Sequence, residues 1–137
     1  MPDLSGSCLC GAVTYTCAAD PIFTAVCHCA DCQKQTGTAF SVVVGVPKAA
    51  FDVQGELSVH TTVGSDTEQD THRHFCGVCG SPVVSLVDAM PDLAILKAGT
   101  LDDTSWLAPQ VEVWHSSAQP WLDAEPGRPV FERSVPT

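Results

Sequence analysis

The sequence predicts an all-β domain, and three observations carry that expectation. Apolar or alternating runs recur between turn signals at intervals of about eight to twelve residues, the spacing of a sandwich, barrel or folded sheet. No pattern of period 3.6 is sustained beyond about two turns. Seven of the eight cysteines stand in tight clusters that can staple distant segments together. At 137 residues the chain suits one domain, 1–137, long enough to bury a core.

The strands are expected in order. "AVTYTC" (12–17) alternates, "IFTAVC" (22–27) is apolar, and "AFSVVVGV" (39–46) is β-branched and nearly continuous. "LSVHTTV" (57–63), "RHFC" (73–76), "PVVSLV" (82–87), "LAILKAG" (93–99) and "VEVWH" (111–115) follow. Gly37, Pro47, Gly55, the polar "GSDTEQD" (64–70) and "DAMPD" (88–92) mark the turns. Helical turns are expected only at "ADCQKQTG" (30–37) and "DDTSWL" (102–107), and the tail 123–137 is read as a surface terminus.

Composition narrows the function. Sixteen acids against six bases give a net charge of −10, and the bases form no patch, so nucleic acids and anionic membranes are disfavoured partners. No run of about eighteen apolar residues exists to cross a membrane. The first residues, "MPDLSGSCLCG", have neither the basic nor the apolar segment of a secretory signal, so the expected location is the cytoplasm. In that reducing compartment, cysteines two and three positions apart point to metal binding rather than disulfides.

Two metal sites are expected. "CLCG" (8–11) and "CGVCG" (76–80) each pair two cysteines and then place a glycine that allows positive φ. Together they make a closed four-thiolate site of Cys8, Cys10, Cys76 and Cys79. "CHCADC" combines both spacings in Cys27, Cys29 and Cys32, three ligands for a second ion. Three-ligand sites keep a fourth position for water or substrate, whereas structural sites close it.

His28 would face away from its neighbours on a strand, while His72 or His74 can still close the second site. Cys17 stands alone and is read as a buried apolar residue. A dication with three thiolates carries a formal charge of −1, a weak Lewis acid suited to a soft sulfur ligand. A small thiol bound there would be held as a thiolate, ready to attack an electrophile. Lys34 and Arg73, the bases nearest the clusters in sequence, are candidate contacts for its carboxylates.

"GSCLCGAVTYTC", "CHCADCQKQTGTAF", "FCGVCGSPV", "AGTLDD" and "VEVWHSSAQPWL", in this order, resemble the glutathione-dependent formaldehyde-activating enzyme family, whose domain the centromere protein V group shares. The resemblance runs from about Gly6 to Leu122. It implies a β-tent fold and two zinc ions per chain, structural at Cys8, Cys10, Cys76 and Cys79 and catalytic at Cys27, Cys29 and Cys32. It also implies a carbon–sulfur lyase that forms S-hydroxymethylglutathione from glutathione and formaldehyde. Where members often carry a histidine near the last strand, this chain has Glu112. The competing readings are a non-catalytic zinc module that binds a macromolecule and a thiol redox or metal-handling protein.

Overall fold

The computed structural model describes residues 4–64 and 68–135. Ten strands and one short helix follow in order: β1 (Leu4–Ser7), β2 (Thr14–Cys17), β3 (Phe23–Cys27), α1 (Ala30–Thr36), β4 (Ser41–Pro47), β5 (Phe51–Gln54), β6 (Leu57–Val63), β7 (Asp70–Cys76), β8 (Pro82–Val87), β9 (Leu93–Lys97) and β10 (Val111–Val113). They form a three-stranded sheet, β1-β2-β5, and a seven-stranded sheet, β10-β3-β4-β9-β8-β7-β6. Every pairing is antiparallel except that of β10 with β3. Among the described residues no helix is long and apolar enough to cross a membrane.

Strand alternation explains how the sheets pack. On β2, Tyr15 and Cys17 point inward while Thr14 and Thr16 face solvent. Those inward residues join Leu4, Val13, Val44, Val46, Val83, Leu96 and Leu101 in one core, so the small sheet covers one face of the large one. On the opposite face of β4, Val43 packs with Ala25 and Ile95. Both faces of β4 are therefore covered, which accounts for its unbroken apolar run. Cys17 is fully buried in this core, as a plain apolar residue would be.

The structure departs from the sequence expectation at several places. β1 ("LSGS") and β5 ("FDVQ") are short, half-polar strands without an apolar signature, and each is stabilised by pairing with β2. β7 starts at Asp70, the last residue of the expected turn 64–70, of which residues 65–67 lie outside the described set. The stretch 102–107 forms a hydrogen-bonded turn, Leu107 N–H to Thr104 O at 3.0 Å, rather than a helix. Single 3₁₀ turns occur instead at Lys48–Ala50, Ala98–Thr100 and His115–Ser117.

The C-terminal segment also differs from a loose surface terminus. Glu112 N–H donates to Pro129 O and Phe131 N–H returns to Glu112 O, both at 2.9 Å. Trp114 N–H reaches Arg133 O at 3.0 Å. The tail thus runs parallel along the free edge of β10 and pairs a backbone row that would otherwise face water.

Candidate metal centres

The first cluster joins the two ends of the larger loop. Cys8 and Cys10 follow β1, Cys76 ends β7 and Cys79 lies in the turn before β8, with the four sulfurs all within 4.8 Å of one another. Cys8 and Cys10 Sγ are 3.7 Å apart and Cys10 and Cys76 Sγ 3.8 Å. A tetrahedral ion such as zinc, with metal–sulfur bonds near 2.3 Å, requires edges of about 3.8 Å. These two edges match such an ion, and the four-thiolate donor set suits it.

Each knuckle is shaped by backbone. Gly11 and Gly80 adopt φ of 80° and 81°. An added Cβ would meet no atom within 4 Å at either, so backbone conformation rather than space selects glycine. Val13 N–H donates to Cys8 Sγ at 3.3 Å and Val78 N–H to Cys76 Sγ at 3.4 Å. The Val13 bond favours ionised Cys8. The Ser81 hydroxyl and the Ser81 and Cys10 amides hold the Cys79 thiol down to about 5. The Ala12 amide also favours ionised Cys10, yet burial and the neighbouring thiols push it up to about 11.

The second cluster is local. Cys27 ends β3, Cys29 caps α1 by accepting the Cys32 N–H at 3.2 Å, and Cys32 lies buried in the helix. Gly37 in the left-handed region closes the helix after seven residues. The three sulfurs lie within 4.8 Å of one another, and among the described residues no fourth Cys, His, Asp or Glu joins them. His72 instead bonds Asp88 at 2.9 Å and Thr61 at 3.1 Å. Neither His72 nor His74 belongs to the group.

Two buried cations adjoin these sulfurs. Arg73 reaches from β7, its Nη1 3.9 Å from Cys32 Sγ and 3.0 Å from Gln35 Oε1, while its Nε donates to Thr62 Oγ1. Lys97, 7% exposed, donates from Nζ to Ser41 Oγ at 2.9 Å. Burial lowers its pKa, while the charges of Cys32, Cys27 and Cys29 act to keep it protonated. Hydrogen bonds from Cys27 and Cys29, helped by Lys97 and Arg73, hold the Cys32 thiol down to about 2; Cys27 is displaced upward.

Of the two bases nominated from sequence, Arg73 is therefore at the second cluster, whereas Lys34 stands exposed on α1. Lys97 was not legible: a lysine ending "LAILK" gains meaning only when β9 lies beside β4 and faces Ser41.

A third group lies behind "CHC". Ionised Glu112, 4% exposed, accepts from His28 Nε2 at 2.7 Å through Oε1. Its Oε2 accepts from Arg128 Nη1 at 3.1 Å and from Glu125 N–H at 3.4 Å. Burial opposes the charge, but the His28, Glu125 and Arg128 bonds hold its pKa below the ordinary value. The His115 ring packs edge-on against His28 at 5.2 Å. Although His28, Glu112 and His115 come within 4.8 Å, the Arg128 guanidinium neutralises the one carboxylate. Adding a dication would leave buried positive charge uncompensated, so His28, Glu112 and Arg128 form a hydrogen-bonded brace against which the His115 ring packs.

The comparisons agree with this architecture. A crystal structure of a Rhodobacter sphaeroides protein has a similar fold, with a TM-score of 0.58 and 17% identity over 93% of this chain and 98% of that one. Among curated proteins none matches the chain. The family model described as "Glutathione-dependent formaldehyde-activating enzyme" matches residues 3–117, which span both cysteine clusters and β1 to β10. The chain belongs to the glutathione-dependent formaldehyde-activating enzyme family.

Proposed function

We propose that this protein is a zinc-dependent carbon–sulfur lyase that joins formaldehyde to the sulfur of glutathione at the second cluster. Two zinc ions per chain are held, one structural at Cys8, Cys10, Cys76 and Cys79 and one catalytic at Cys27, Cys29 and Cys32. The all-β architecture is then a β-tent folded around the first ion. One observation carries the reading: three grouped sulfurs that no fourth ligand joins among the described residues, beside two buried cations.

Zinc at the second cluster would supply a binding position for a soft thiol and lower its pKa. Cys27, Cys29 and Cys32 hold that ion and are not themselves nucleophiles. A dication with three thiolates carries −1, and adding Lys97 and Arg73 brings the local formal charge to +1. An incoming thiolate therefore completes neutrality despite the acidic surface, a role that Lys34 on the exposed side of α1 does not need to fill. The new S–C bond forms as the aldehyde π pair moves to oxygen, and the former thiol proton ends on that oxygen. No electron acceptor is required.

The test is metal content and cobalt spectroscopy of purified protein. Two ions per chain and a cobalt spectrum at the second site that changes with glutathione are expected. Cys29→Ser should lose the second ion and the acceleration of S-hydroxymethylglutathione formation over the uncatalysed rate, read by exchange NMR, while retaining the fold. A two-metal protein whose cobalt spectrum ignores glutathione would overturn the proposal in favour of a zinc module that is purely structural.

A further inference from the structure

The family match ends at residue 117, yet Arg128 beyond it is tied through Glu112 to the residue between two cysteines of the second cluster. His28 cannot shift without moving Cys27 and Cys29. Its Nε2 is held by Glu112 at 2.7 Å and its backbone N–H by Val113 O at 3.0 Å. Its carbonyl accepts from Gln33 Nε2 at 2.7 Å, and that amide also reaches Ser117 O at 2.9 Å. Gln119 Nε2 in turn donates to Gln33 Oε1 at 2.7 Å.

Glu112 is the charged member of this brace. It stands on β10, in register with Val26 of β3 and parallel to the tail at Val130. Such a carboxylate is tolerated in the interior because three donors satisfy it.

We propose that Glu112, locked by Arg128 of the C-terminal segment, is a positioning residue that sets the spacing of Cys27 and Cys29 and hence the metal affinity of the second cluster. Glu112 touches neither the sulfurs nor a substrate; it acts through His28. This inference rests on the reading that Cys27, Cys29 and Cys32 bind a metal. Outer partners that orient ligands typically contribute a factor of about 10–100 to metal affinity, and Glu112 does so from one residue further out. The C-terminal segment is accordingly part of the metal centre.

The test compares the two sites within one molecule. Metal-free protein is titrated with cobalt against a competing chelator, and the two sites are separated by their sulfur-to-cobalt bands, with Cys29→Ser identifying the first. Glu112→Asp keeps the charge for Arg128 but falls one methylene short of His28, so it probes the link without emptying the core. It should weaken the second site about tenfold or more, with the first site unchanged. Glu112→Ala should exceed that loss, and Arg128→Gln should fall between wild type and Glu112→Ala. Equal weakening of both sites in Glu112→Asp, or a second-site affinity within about threefold of wild type, would overturn the proposal. Wild-type protein that binds only one cobalt would instead refute the two-metal reading beneath it.

Discussion

Cys76→Ser removes one sulfur from the first cluster, and the consequence can be worked from chain length. Cys10 and Cys76 are 66 positions apart and their sulfurs are 3.8 Å from each other, so an ion there closes a loop of that size. Treated as a cross-link, such a closure removes about 4 kcal/mol of denatured-state entropy, whereas the six-residue span of "CHCADC" yields about 2 kcal/mol on the same relation. The serine hydroxyl also enters a fully buried position, which adds about 1 kcal/mol or more. Against a total stability of roughly 5–15 kcal/mol, an ion held at the first site is expected to decide whether the fold survives.

Thermal unfolding followed by circular dichroism should place Cys76→Ser about 15 °C or more below wild type, given about 2–8 °C per kcal/mol for domains spanning this size. Cys29→Ser should fall by clearly less. A chelator strong enough to strip the first site should bring wild type down to the Cys76→Ser curve. Equal losses in the two variants, or a Cys76→Ser midpoint within about 3 °C of wild type, would refute the division of labour between the clusters.

Lys97→Gln retains a partner for Ser41 but removes the charge, so glutathione affinity, read from the cobalt spectrum, should fall about tenfold, roughly 1.4 kcal/mol; an unchanged affinity would remove Lys97 from the site. In protein loaded only at the first site, Cys32 should remain a thiolate far below the ordinary thiol range. Its folded value is depressed to about 2 from 9.0, so the stabilisation it contributes is complete above pH 9 and is lost as pH falls through about 2. The wild-type minus Cys32→Ser absorbance at 240 nm should therefore show one thiolate at pH 6. Truncation after Leu122 should expose the β10 edge and leave Glu112 without Arg128, and chelator should remove the second metal at lower concentration than from the full chain.

Much of the two candidate metal centres was legible because each cysteine pair or trio is short-range. Spacings of two and three residues bring sulfurs together through local geometry alone, and the glycines of "CLCG" and "CGVCG" announce the left-handed turns that Gly11 and Gly80 adopt. The five inner strands of the large sheet were equally visible, since β-branched runs such as "SVVVGV" state their own burial. β1 and β5 were not, because their four residues acquire structure by pairing with β2 rather than from their own composition.

The sequence by itself determined the candidate chemistry: which cysteines can hold metal, how many ligands each cluster offers, and that acidic surroundings call for local positive charge. Only the tertiary structure decided which cations answer that need and what holds the second cluster in place. Lys97, Arg73, Glu112 and Arg128 reach the sulfurs or their scaffold from separate strands and the tail, 11 to 84 residues from the partners they bond. Side-chain spacing along a chain is set by covalent geometry and can be read directly. Approach across a sheet is set by register, and register exists only once the strands have paired.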